Sequence, residues 1–173
     1  MQNIERNFEQ IQAAFRSNTQ TIENVLNAFD ESTFFKKPLD GGWCIAEIVE
    51  HLLISDRTGL FAIVRRNLPT DRNPLEITQL LNERRKQAEQ KFEAPEPAMP
   101  KGIFKTREEA IHAWKNNRLT VLDRVNSENV WMLAAGFEHP KLGMLTVAEW
   151  VLFMCWHSEH HLPQIRMCAG LYT

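Results

Sequence analysis

Apolar residues recur at intervals of four and three along most of this 173-residue chain, and that period is the strongest constraint on its fold. Ile4, Phe8, Ile11, Phe15, Ile22, Val25 and Phe29 make the clearest run, with Asn18 standing where the next apolar residue should fall. The run predicts one long helix with an apolar stripe, ending near Asp30. Few stretches alternate with period two, so a sheet has little to draw on. Asn18 reads as a polar residue that sets register in a bundle, a part in a site being the lesser alternative.

Three further helices follow from the same period. The second starts after Gly41-Gly42-Trp43 and runs to about Asn67, with Ile45, Ile48, Leu52, Gly59 and Ile63 on one side. From Leu68 to Lys105 the chain holds Pro69, Pro74, Pro95, Pro97 and Pro100, which predicts a long connection with one or two short helices. Its run Asn82-Glu83-Arg84-Arg85-Lys86 reads as a solvated helix face, because acidic residues flank it. Thr106-Arg107-Glu108-Glu109 forms a capping box and opens a third helix carrying Ile111, Trp114, Leu119, Leu122 and Val125. After a loop from Asn126 to Leu145, Thr146-Val147-Ala148-Glu149 opens a fourth, which ends near Gly170. The expected fold is therefore all-α: a four-helix bundle forming a single domain over residues 1–173, with a long crossover connection between helices two and three. Ile45-Ala46-Glu47-Ile48-Val49 resembles Val147-Ala148-Glu149-Trp150-Val151, which pairs helices two and four as equivalents.

Charge and cysteines exclude several classes of function. Lys plus Arg is 20 and Asp plus Glu is 22, a net charge of −2, so nothing pulls the chain toward nucleic acid or an anionic membrane. No apolar run approaches the roughly 20 residues of a membrane span. Cys44, Cys155 and Cys168 form no C-x-x-C, which fits reduced thiols and a cytoplasmic protein. P-loop, G-x-G-x-x-G and G-x-S-x-G patterns are missing.

The chemistry concentrates in Trp156-His157-Ser158-Glu159-His160-His161. Residues four apart on a helix lie one above the other, so His157 and His161 share a face, with Cβ atoms roughly 5–6 Å apart. Val147, Trp150, Met154 and Ile165 lie beside them on the wheel, which turns the pair inward. His160 projects to one side, nearer Phe153, and is the poorer ligand. Two imidazoles facing a core need partners. A metal ion would supply one, with His51 of the second helix as third ligand; hydrogen-bonded core histidines are the alternative. Three imidazoles with a position left open suit zinc, and nickel also accepts three nitrogens. His112 and His139 read as surface or turn residues. A zincin needs Glu directly after the first His, and Ser158 stands there instead.

Gly42-Trp43-Cys44-Ile45-Ala46-Glu47-Ile48-Val49-Glu50-His51-Leu52 resembles the first signature block of the DinB-like (YfiT-like) four-helix family. His157-Ser158-Glu159-His160-His161-Leu162-Pro163-Gln164-Ile165 resembles its closing block, and element order fits over nearly the whole chain. The resemblance implies a divalent metal held by His51, His157 and His161. It also implies the activities of that family: bacillithiol and related S-transferases, mycothiol-dependent isomerases, and metal-dependent hydrolases, many of them homodimers. Two departures stand out. Cys44 takes a place the family gives to Ser or Thr, a weaker helix cap at a cost of about 1 kcal/mol. Pro163 falls inside the fourth helix and should kink it.

These readings lead to a divalent-metal-dependent enzyme acting on a small molecule, a thiol S-transferase or a hydrolase, with a low-molecular-weight thiol as cosubstrate in the first case. The ion would serve as a Lewis acid toward water or thiol. Gln164, three residues past His161, can contact the substrate or serve helix packing. Trp43 can line the entrance, although a core or hinge role suits it too. The alternative is a dimeric, non-catalytic, stress-associated metal-binding protein, suggested by a fourth helix that is apolar almost all round.

Overall fold

The computed structural model describes residues 8–39, 41–73, 75–86, 94–168 and 170. Ile4 and Pro74 lie outside them, as do the side chains of Arg84, Arg85 and Lys86. Four long helices form the frame: α1 (Phe8–Asn27), α3 (Ile45–Arg65), α5 (Arg107–Arg124) and α6 (Val147–Cys168). Between them lie a short α2 (Glu31–Phe35), strand β1 (Asn67–Leu68), α4 (Leu75–Lys86), a 3-10 turn at Glu96–Ala98, and strand β2 (Leu133–Ala134). β1 and β2 pair antiparallel, Asn67 with Ala134 and Leu68 with Leu133. Two residues per strand are too few to show alternation, so the sequence period carries no trace of this pair.

Helix α1 is the one long helix expected from the apolar stripe, and it ends three residues short of Asp30. It stops at Asn27, and Asp30 caps α2 by accepting from the Thr33 N–H at 2.8 Å. The capping box at Thr146 forms in full, and the one at Thr106 forms in a variant whose acid reaches one residue further back. Thr106 Oγ1 accepts from the Glu109 N–H at 3.1 Å, and Glu109 reaches back to the Lys105 N–H at 3.0 Å. Thr146 and Glu149 exchange both bonds, at 3.2 and 2.7 Å. At Cys44 the carboxylate of Glu47 accepts from the cap N–H at 2.9 Å and pairs with Lys37, so α3 is held at its start from the acidic side of the box. Helix α6 continues through the exposed Pro163 to Cys168, and Gly170 beyond it takes φ +71°.

Packing places α1 against α5 and α6, and α3 against the same two helices. One apolar cluster joins the start of α1, the end of α3, the end of α5 and the start of α6, around Phe15, Ile63, Val121 and Trp150. A second joins the opposite ends, around Ile22, Ile48, Trp114 and Ile165. Neighbours α3 and α5 therefore run parallel, and so do α1 and α6. Parallel neighbours cannot be joined by a tight turn, which is why the chain spends residues 66–106 on a crossover. Gly59 brings α3 close to α6: a Cβ there would meet Met154 Cε at 2.3 Å.

Between the two apolar clusters lies a polar layer with a residue from each long helix. Arg118 of α5 is fully buried. Its Nε donates to Asp56 Oδ2 at 2.9 Å, and its Nη1 to Asn18 Oδ1 at 2.6 Å and Thr19 Oγ1 at 3.3 Å. Its Nη2 donates to the Met154 carbonyl at 2.8 Å and Ser158 Oγ at 3.2 Å. Phe15 and Trp114 cover its two sides. Leu119, expected on the inward face of this helix, is instead 42% exposed, because Arg118 holds the slot four residues after Trp114. Asn18 also donates to Glu159 Oε1 at 3.0 Å, so it ties α1 to α6 within this layer.

Candidate metal centre

His51 projects from α3 and His157 and His161 from consecutive turns of α6, where these antiparallel helices pack. The structure brings the three together. Ring centroids are 5.0 Å apart for His51–His157 and His51–His161, and 4.9 Å for His157–His161. A ligand nitrogen from each lies within 4.8 Å of the other two, a grouping that can hold a metal ion.

Hydrogen bonds aim the rings. His51 Nδ1 lies 2.7 Å from the Ala98 carbonyl. A carbonyl only accepts, so Nδ1 carries the proton and Nε2 is left with a bare lone pair. His161 Nδ1 donates to Gln164 Oε1 at 2.8 Å in the same way. Outer partners of this kind set the tautomer of metal-binding histidines and raise their basicity. His157 is packed differently: Phe153 stacks on its ring at 5.3 Å and 12°, and its buried Nδ1 has no hydrogen-bond partner.

This arrangement fits a cation. His51 Nε2 and His157 Nε2 stand 3.1 Å apart. If His157 carries its proton on Nδ1, two lone pairs face each other and a buried N–H is unsatisfied. If it carries it on Nε2, that N–H reaches His51 but a buried Nδ1 lone pair is left over. A divalent ion takes up the converging lone pairs of all three rings. Protonation is disfavoured throughout. Burial pushes His157 well below the usual imidazole range, and His161, His51 and His160 add to that. Burial also lowers His51 against the pull of the Ala98 carbonyl, and carries His161 down to about 4 against Gln164. Neutral imidazoles are the form that ligates.

A pocket of about 210 Å³ opens on the three rings. Trp43, Phe153 and Trp156 give it aromatic walls, the strap at Ala94–Ala98 forms one side, and the turn from His139 to Leu142 forms another. Trp43 lies 5.0 Å from the His51 ring, between the core and the opening, and so has both of its expected roles. His160 stands outside the converging trio: it stacks on Trp156 at 5.3 Å, meets the His161 ring edge-on at 5.4 Å and lines the pocket. His112 is exposed on α5.

His139 is indeed in a turn, where its Nδ1 accepts from the Lys141 and Leu142 N–H groups, both at 3.2 Å. It also packs edge-on against Phe153 at 4.8 Å and lines the pocket, a placement that reading it as a surface or turn residue missed. Gln164 bonds to His161, so the structure uses it to orient a ring. Ala98 was absent from the sequence reading altogether. It contributes a backbone carbonyl, which any residue type carries, so no side-chain pattern marks it.

A family model described as the DinB superfamily matches residues 14–165. No curated protein and no solved structure matches the chain.

Proposed function

The chain belongs to the DinB superfamily, and on that premise we propose that it is a divalent-metal-dependent enzyme acting on a small molecule, with thiol S-transfer as its reaction. The observation that carries this reading is the convergence of three neutral imidazoles beneath a pocket. A structural metal site is closed by protein ligands, whereas three ligands under an opening leave a position for a reactant. Zinc and nickel suit an all-nitrogen donor set.

A divalent ion held by His51, His157 and His161 would supply a Lewis acid that lowers the pKa of a thiol or water in reach of it. The chain's own residues do the rest. The Ala98 carbonyl and Gln164 hold two of the rings in the ligating tautomer. Trp43, Phe153 and Trp156 receive the apolar body of a substrate and exclude water from it. Among the described residues that line the pocket there is no carboxylate. With the pKa of thiol and water alike lowered by the ion, neither needs a general base. Of the two, the thiolate is the stronger nucleophile, and this favours S-transfer over hydrolysis.

The test pairs metal content with turnover. Tag-free protein should retain zinc or nickel, and His157→Ala should lose it. With zinc or nickel at saturation, the protein should consume a low-molecular-weight thiol in the presence of an electrophile faster than the variant lacking all three histidines. Equal, negligible metal in wild type and His157→Ala would remove the basis of the proposal. Firm metal binding without thiol consumption would leave a non-catalytic metal-binding protein.

A further inference from the structure

The geometry points to Glu50 as a positioning residue of this centre: its buried carboxylate clasps the crossover strap and thereby sets the carbonyl that orients His51. The inference rests on the metal-dependent reading above.

Glu50 directly precedes His51 on α3 and is 2% exposed. A carboxylate so deeply buried is costly unless its oxygens are well hydrogen-bonded. Here both are, and by backbone alone among the bonds the structure shows. Oε1 accepts from the Lys101 N–H at 2.7 Å, and Oε2 from the Gly102 and Ile103 N–H groups at 2.8 and 3.1 Å. Three successive N–H groups turned onto one anion form a backbone nest. Gly102 makes the nest possible with φ +70°, a conformation that residues with a Cβ rarely adopt.

Three residues before the nest, the 3-10 turn is closed by Ala98 N–H to Pro95 and Met99 N–H to Glu96, at 2.8 and 3.1 Å. That turn presents the Ala98 carbonyl to His51 Nδ1. Adjacent residues of α3 thus grip the strap at two points, Glu50 at 101–103 and His51 at 98. Phe104 anchors the strap further along by its burial in the second apolar cluster. The Glu50 grip is the hydrogen-bonded hold on α3 next to the His51 one, so it sets the height of Ala98 over α3. The strap also lines the pocket through Ala94, Pro95 and Ala98, so the same clasp sets the pocket's width.

The experiment uses the full chain with Co(II) as the probe, and histidine side-chain ¹⁵N NMR on the metal-free protein. Wild type should bind Co(II) and show His51 protonated on Nδ1. Glu50→Ala should weaken Co(II) binding by about 10- to 100-fold, the usual effect of losing an outer partner of a metal ligand. It should also shift the Co(II) visible bands and put His51 into exchange between tautomers. Glu50→Gln keeps acceptor oxygen and should recover part of each change, which a residue needed only for folding would not do. Gly102→Val breaks the nest from the strap side with the carboxylate intact. It should reproduce the His51 change, and it carries the test if Glu50→Ala does not fold. Wild-type Co(II) affinity and an unchanged His51 tautomer in Gly102→Val, and in Glu50→Ala where that variant folds, would overturn the inference alone. A wild-type chain that takes up no Co(II) would overturn it together with the metal reading.

Discussion

Two polar groups of the bundle interior lie next to each other on α6, and they are built on opposite terms. Ser158 belongs to the layer around Arg118, and His157 to the imidazole cluster. The Arg118 layer closes around its guanidinium. All five of its guanidinium bonds end on oxygen acceptors from α1, α3 and α6, and the Asp56 carboxylate offsets its charge. Burial pushes the Asp56 carboxyl up, and Arg118 opposes this. The imidazole cluster is open. It brings three neutral donors together, leaves a buried Nδ1 without a partner, and faces a pocket. The first group meets all the Arg118 donors from within, although Asp56 Oδ1 is left over, and holds four helices in register. The second turns imidazole lone pairs toward one point where an added cation would take them up, and this is the physical mark of a binding site inside a bundle.

The sharpest way to break this comparison is to remove one residue from each group. Arg118→Met leaves Asp56 buried without its partner and should destabilise the protein by about 3–5 kcal/mol in urea unfolding. Combining it with Asp56→Leu should recover most of that loss. His157→Leu in the metal-free protein should leave stability unchanged or slightly raised, because it removes a polar nitrogen that nothing satisfies. If the two single variants lose stability equally, the contrast between closed and open groups is wrong.

Metal addition sharpens it further. Zinc or nickel at a free concentration near 100 times Kd should add about 2.7 kcal/mol. For a chain of this size that raises Tm by roughly 5–10 °C. A melting curve should show the shift in wild type and in Glu9→Ala, an exposed α1 control, and lose it in His51→Ala. Gln164→Ala should keep the fold and weaken metal binding by about 10- to 100-fold in calorimetric titration. The smallest effect is expected at the surface. Lys37 pairs with Glu47 at 2.6 Å, but its side chain is 59% exposed. Lys37→Ala should therefore cost less than about 1 kcal/mol, and less still in high salt. A cost near that of Arg118→Met would mean that burial is not what separates these ion pairs.

The candidate centre was legible in part. His157 and His161 declare themselves by spacing, since four residues on a helix put two rings on one side. His51 is found through the echo between the segments that became α3 and α6. Arg118 was missed, although a signal exists. Four polar residues each occupy an inward slot of their helix: Asn18 three residues after the buried Phe15, and Asp56, Arg118 and Ser158 four residues after the buried Leu52, Trp114 and Met154. One such residue reads as an exception, whereas one on every helix marks a layer. An arginine is ordinarily taken for surface, and only acceptors from three other helices make its burial affordable. His139, Glu50 and Ala98 were harder still. Their roles depend on where the turn after β2 and the crossover come to rest, and neither segment has a period from which a face could be read.

What this sequence determined by itself is local: four long helices, their capping boxes, the inward sides of α1, α3 and α6, and two imidazoles on one side of α6. Hydrogen bonds within a helix and the 3.6-residue repeat act between near neighbours, so a short window contains the causes. The tertiary structure alone decided that α3 and α5 run parallel, that a buried arginine closes the bundle's middle layer, and that the crossover lays the Ala98 carbonyl on His51. Those outcomes depend on contacts between residues 36 to 141 positions apart, where packing and the pairing of buried polar groups choose among arrangements that the local pattern leaves equal.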